Sequence, residues 1–288
     1  MAVDILQDKI RKMKNPTMLE LALPLEDMPP EFSRDASGYG AFCRTILDGL
    51  KDQIPAVRVS FAVFAILGAE GMQELNNILQ FASELGYYVV LDAPEIASPM
   101  AARQIAESLL GENSLYPCDG LIISGYAGSD VIKPFLPYCK KGKKEVFVIA
   151  RTANKSAPEL QDLRTGSRQV HTAAMDLVNR YGEPIIGKFG YSRVAAIVGA
   201  GAPDAIRTMR TKYQRVFFMT DGYDYPNGNA KNCSFAFDRL GHGAVACAGT
   251  SVTAAWQQTE SDGSDFVEQA VEAALRMKKN LTRYVTIL

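Results

Sequence analysis

Residues 71–93 read GMQELNNILQFASELGYYVVLDA. Met72, Leu75, Ile78, Leu79 and Ala82 recur every three or four positions, which places them on one face of a helix. Gly86 stops that helix, and 87–93 follows as an almost unbroken apolar run. Strict alternation would mark a strand wet on one side, whereas a continuous apolar run marks one covered on both. A helix lying on a doubly covered strand is the repeating unit of a parallel α/β sheet.

Working outward, the same unit recurs along the chain. Strands are predicted at 18–23, 56–61, 87–93, 120–124, 145–151, 195–200, 215–220 and 244–248, most of them continuously apolar. Their starts lie about 20 to about 50 residues apart, room for a crossover helix in each interval. Helices are predicted over 71–85, 129–138, 173–181, 204–213 and 264–279. The last carries Asp265 and Glu268 in its first turn and Arg276, Lys278 and Lys279 in its last, a charge order that suits the helix dipole. Eight β/α alternations without a composition break predict one (β/α)₈ barrel spanning 1–288, with a doubly wound open sheet as the alternative. The loops 25–37 and 152–168 would then leave the C-terminal ends of strands, the face where barrels place their function.

Composition narrows the field. A net charge of −1 supplies no global basic field, so nucleic acid and anionic membrane are not expected partners. The basic run at 140–144 reads as a solvated turn before a strand. The five cysteines, at 43, 118, 139, 233 and 247, form no CxxC pair and no zinc spacing. Scattered thiols of this kind predict reduced, mostly buried side chains and hence the cytoplasm. The segment 1–14 is charged and amphipathic, unlike a signal peptide, and no apolar run approaches the roughly 18 residues of a membrane span.

Few residues are candidates for chemistry. Asp92 ends the third strand, where a barrel presents side chains to its site; the plain alternative is a structural, capping aspartate. Arg58 sits inside the second strand and needs an anionic partner, because an unpaired buried cation costs several kcal/mol; Asp92, one strand away, is a plausible one. Arg151-Thr152 ends strand five in a similar way. Two small-residue turns, Gly199-Ala200-Gly201 and Gly249-Thr250-Ser251, follow strands six and eight, and backbone amides in such turns can hold a phosphate. The two histidines are poor acid–base candidates: His171 opens a predicted helix, and His242 precedes strand eight. No nucleophile triad or metal cluster presents itself.

The order of these pieces resembles a known family. Residues 64–71 (FAILGAEG) resemble the exit of the second strand, and 88–93 (YVVLDA) the third strand, of the type 2 bacterial orotidine 5′-phosphate decarboxylases. Residues 125–130 (GYAGSD) with 133–136 (KPFL), and 150–156 (ARTANKS) with 159–163 (ELQDL), resemble that family's fourth- and fifth-strand loops. Val198-Gly199-Ala200 and Asp221-Gly222-Tyr223 resemble its late, phosphate-side loops. The resemblance runs in order across about residues 15–256. It implies a barrel of the ribulose-phosphate-binding type, usually a homodimer, that converts orotidine monophosphate (OMP) to uridine monophosphate (UMP) in pyrimidine biosynthesis without metal or organic cofactor. It also implies a small phosphorylated ligand, with Thr152, Gly199, Ala200, Gly222, Gly249, Thr250 and Ser251 as its binding set. In that family an Asp-Lys-Asp-Lys array crowds the departing carboxylate, and a lysine protonates the pyrimidine C6, a case of charge stabilisation at the transition state.

Here the array is depleted. The family's Asp-x-Lys-x-x-Asp stands as Asp92-Ala93-Pro94-Glu95-Ile96-Ala97, so Pro94 replaces the proton donor and Ala97 the second aspartate. Arg58 stands for the strand-two lysine, Ala22 for the strand-one aspartate, a position near Pro226 for the phosphate-side glutamine and Thr250 for the arginine. Arginine holds its proton too tightly to donate it. Asp92 and Arg58 are thus the remnant of the catalytic set, and Lys155 and Lys188 are the lysines that could replace the donor. The expectation is a decarboxylase homologue with impaired catalysis, kept as a phosphate-ligand-binding or regulatory barrel. The alternatives are a working decarboxylase with relocated residues, or another sugar-phosphate enzyme built on Arg58, Asp92 and Glu95.

Overall fold

The computed structural model describes residues 2–93, 96, 98–142 and 144–288. Eight parallel strands close into a barrel: β1 Thr17–Leu21, β2 Ala56–Ser60, β3 Tyr88–Asp92, β4 Gly120–Ser124, β5 Glu145–Arg151, β6 Ser192–Gly199, β7 Val216–Asp221 and β8 Ala244–Ala248. Each pairs with its sequence neighbours and β8 pairs with β1. The open-sheet alternative is thereby excluded. The strand interiors are buried on both faces, which is why they read as continuous apolar runs.

Register decides what reaches the barrel mouth. Glu20 on β1 lies beside Arg58 on β2, and Arg58 lies beside Val90 on β3. Side chains alternate along a strand, so Asp92, two residues past Val90, shares the face of Glu20 and Arg58. That parity gathers three charged residues from three strands onto the inside of the barrel.

Several elements differ from expectation. β6 begins at Ser192, three residues early, because its first residues are polar yet buried; Arg193 is only 6% exposed. The single helix expected over 129–138 is three short pieces, Ser129–Ile132, Lys133–Phe135 and Leu136–Lys140. Pro134 and Pro137 each remove an amide that a continuous helix would use. All five cysteines are buried and free. Among the described residues no helix is long and apolar enough to cross a membrane.

The amphipathic N-terminal segment forms helix Ala2–Met13, whose apolar face (Val3, Leu6, Ile10) is buried. It closes the bottom of the barrel, where strands begin. There the Gln7 side chain accepts a hydrogen bond from the Gly243 amide at 2.9 Å, and Asp4 accepts one from the Phe189 amide at 3.2 Å. Lys188 pairs with Asp8 on the same helix at 2.6 Å. Glu145, fully buried at the start of β5, accepts a hydrogen bond from the Tyr88 hydroxyl at 2.6 Å. Its other carboxylate oxygen has no hydrogen-bond partner among the described residues.

Burial raises the Glu145 pKa to about 8. Below the unfolded-state value of 4.5 the folded and unfolded chains are both protonated at this site, and above about 8 both are ionised. Between those limits only the folded chain holds the proton, so stability falls as pH rises through the window, by at most about 1.4 kcal/mol per pH unit. Glu145→Gln, which keeps the neutral shape, should flatten the fall in urea-unfolding free energy between pH 5 and pH 8. An unchanged slope in the variant would assign the pH dependence elsewhere.

Candidate active site at the barrel mouth

Arg58 is the centre of the mouth. Its side chain is 11% exposed and touches three carboxylates: Asp221 at 3.1 Å, Asp92 through Nε at 3.2 Å and Glu20 at 3.3 Å. They come from β1, β3 and β7, so the guanidinium ties together strands from across the barrel. Burial alone would discourage its charge. The Asp221, Glu20 and Asp92 carboxylates more than offset that, and Arg58 is held protonated well above the usual arginine value. Glu20 behaves in the opposite way. Burial raises it, Arg58 lowers it, and Asp221, Asp92 and Asp224 raise it further, leaving its pKa at about 7.

The late turns are occupied by the chain itself. The Gly249 amide donates to an Asp224 carboxylate oxygen at 2.6 Å, and the Ser251 amide donates to the same oxygen at 3.4 Å. The other Asp224 oxygen is buried and has no hydrogen-bond partner among the described residues. The Ala200 amide donates to the Asp221 backbone carbonyl at 2.7 Å, and the Gly222 amide to the Asp221 side chain at 2.9 Å. Gly222 has φ +78°, a backbone that few other residues adopt. At Gly199 an added Cβ would sit 2.5 Å from the Thr152 carbonyl, so glycine there permits the β5 loop to lie against the end of β6. Thr152 is held by Gln161, which accepts from its amide at 2.8 Å and donates to its hydroxyl at 2.7 Å. In this structure, Ala200, Gly222, Gly249 and Ser251 therefore spend their amides on internal acceptors.

Arg151 lies beside the mouth in a separate network. It makes two hydrogen bonds to Asp162, at 3.0 and 2.9 Å, and His171 Nδ1 lies 3.1 Å from the same carboxylate. Burial lowers the pKa of His171, so the ring is neutral at pH 7 and joins the loop to helix Val170–Gly182. The three residues line a cleft of about 460 Å³ between that helix and helix Pro203–Lys212. His242, by the bottom, lies 3.2 Å from the Leu288 carbonyl.

The other sequence candidates divide clearly. Pro94, Glu95 and Ala97 lie outside the described residues. Lys188 is at the bottom of the barrel with Asp8, the face opposite the mouth, so it is no replacement donor. Lys155 is exposed in the β5 loop. Thr250 is exposed at the start of the turn after β8. Three mouth residues escaped the sequence reading: Glu20, Asp221 and Asp224. Glu20 carried the same signal as Arg58, a lone charge inside an apolar strand. Asp221 stood in the Asp221-Gly222-Tyr223 turn, quoted only for its likeness to a phosphate-side loop, and Asp224 lay just beyond it.

The barrel defines the class: a (β/α)₈ fold, in which enzymes carry their sites at the C-terminal ends of the strands. Comparison with known proteins then narrows it. No family model matches the chain. It is 27% identical to the orotidine 5′-phosphate decarboxylase of Rhodopirellula baltica over 277 residues, 93% of this chain and 92% of that one. A Streptomyces avermitilis structure, provisionally given the same activity, superposes with a TM-score of 0.81 at 21% identity, covering 99% of this chain and 95% of that one. The orotidine 5′-monophosphate decarboxylase of Methanocaldococcus jannaschii, solved with the inhibitor BMP, superposes with a TM-score of 0.63 at 16% identity, covering 93% and 98%. In sequence, over nearly its whole length, this chain is similar to orotidine 5′-phosphate decarboxylases, and it shares their barrel fold.

Removing the Arg58 charge should be costly, because Glu20, Asp92 and Asp221 would face one another without a cation. Arg58→Met is expected to lose about 3–5 kcal/mol of unfolding free energy in urea. Pairing Arg58→Met with Glu20→Gln should recover part of it. A loss below about 1 kcal/mol would mean that water already screens the cluster.

Proposed function

We propose that this chain is a decarboxylase homologue that no longer decarboxylates OMP and uses its barrel mouth to bind a small phosphorylated ligand of the nucleotide class. One observation carries the reading: the cation at the centre of the mouth is an arginine clasped by three carboxylates. Decarboxylation leaves a carbanion that must be protonated, and a guanidinium whose proton affinity is raised by its neighbours does not supply that proton at neutral pH. Pro94 at the family's donor position supports the same reading. Whole-length similarity to decarboxylases, and the inhibitor held by the archaeal relative, support the ligand class.

Asp224 bears on how such a ligand would bind. A phosphate seated on the Gly249 and Ser251 amides must first displace this carboxylate. Those turns serve the ligand only when the segment after β7 swings out and carries the Asp224 carboxylate with it. The ligand's other contacts would come from Arg58 and Thr152. By the family resemblance the assembly is a cytoplasmic homodimer; exposed Ile66, Met100, Leu163 and Tyr225, all in segments following strands, support a second copy over this face. Sedimentation equilibrium would reveal a monomer if that assignment fails.

A second reading rests on Glu20. With a pKa of about 7 beside Arg58, it is half protonated at neutral pH and could act as a relocated acid. Activity that runs through Glu20 would decline as pH rises through about 7 and vanish in Glu20→Gln.

Titration calorimetry with UMP tests the binding proposal. Asp224→Ala frees the two amides and should tighten UMP binding by roughly tenfold; adding Gly249→Val, whose side chain would press on Glu20, should abolish the gain. UMP affinity that ignores both changes would remove the phosphate from these turns.

A further inference from the structure

A basic groove runs along the outer wall of the barrel, behind β6 to β8 and apart from the Arg58 cluster. Helix Pro203–Lys212 follows β6, the short helix Ala230–Ser234 follows β7, and helix Phe266–Thr282 follows β8. Between them lie two hollows, of about 500 and about 340 Å³, which share Lys231 and Tyr284 and so form one groove. Arg207 lines the first hollow and Arg283 the second, and no carboxylate lines either. Among the described residues, Arg207, Lys231 and Arg283 are exposed and join no ion pair.

Gathered, unneutralised cations repel one another and concentrate anions from solution. In a chain of net charge −1, such a groove calls for an anion from outside. Its aromatic content narrows the class. The Arg207 guanidinium lies over the Phe235 ring at 3.7 Å, which holds the charge in place along the wall. The Tyr284 ring, 55% exposed, stands where the two hollows meet. A cationic lining beside an exposed ring suits a ligand with a charged end and a flat end.

We propose that this groove binds a nucleoside diphosphate, its phosphates on Arg207 and Lys231 and its base against Tyr284, with Arg283 at the far end. The site does not depend on what the mouth binds or catalyses. It does touch the mouth's supports: Tyr223 lines the groove from the turn whose Asp221 and Asp224 hold Arg58 and the Gly249 amide.

Equilibrium dialysis of the full chain against labelled ADP tests the proposal. One ADP per chain should bind saturably, and Arg207→Glu with Lys231→Glu should weaken it by roughly tenfold or more while the thermal unfolding transition persists. Tyr284→Ser should weaken ADP and leave inorganic pyrophosphate unaffected. Glu20→Gln, a change in the mouth, should leave ADP binding intact. The proposal is overturned if millimolar ADP shows no saturable binding, or if the folded charge-reversal variant binds as the native chain does. Loss of ADP in Glu20→Gln would move the ligand to the mouth and overturn it equally. So would a single-stranded oligonucleotide that binds where ADP does not.

Discussion

A guanidinium inside a barrel strand must find anions, because leaving it unpaired in the interior costs several kcal/mol. Arg58 finds three, and the search constrains much of the structure around it. β1, β3 and β7 must each present a carboxylate at one height and on one face. The β1–β2 and β2–β3 registers do this for Glu20 and Asp92. Asp221 arrives at the end of β7, and its turn then supplies Asp224 to the amides after β8. Burial raises the proton affinity of Glu20 against the pull of Arg58, and the three carboxylates hold that of Arg58 high. Strand register and the gathering of carboxylates at the mouth thus share one cause.

This organisation differs from an array made for proton transfer. An ammonium on a flexible stem moves a proton readily, whereas a guanidinium fixed by several carboxylates serves as a permanent charge. A solved structure at 21% identity shares the barrel over nearly the whole chain. Fold carries over at that distance more safely than chemistry does, because the chemistry rests on a few side chains at strand ends. The mouth here has more acid than base, with Asp224 occupying amides that an anionic ligand would need.

The fold was legible because covered strands leave an unmistakable trace. Runs such as 88–92 and 145–151 are apolar on both faces, and only a helix-covered parallel sheet explains eight of them. Boundaries failed where polar residues were nonetheless buried, as at Ser192 and Arg193, or where Pro134 and Pro137 divided a helix. The site was legible in part. Arg58 and Asp92 stood out as charges in apolar strands, and their pairing followed from adjacency. Glu20 carried that signal and was passed over, since the resemblance drew attention to Ala22. Asp224 could not have been read: its role depends on a contact between turns 25 residues apart in sequence. The amides of Gly249 and Ser251 looked available because a sequence shows that a turn is rich in amides, not which acceptor already holds them.

We propose that the mouth holds a fixed cation and, among the described residues, no working proton donor. Release of labelled carbon dioxide from carboxyl-labelled OMP, at high protein concentration and near pH 6.5, tests it most directly. Release is expected at the rate of buffer alone, in a medium where an active decarboxylase turns over. Release above that rate would contradict it, and would assign the missing proton to Glu20 if the release disappears in Glu20→Gln.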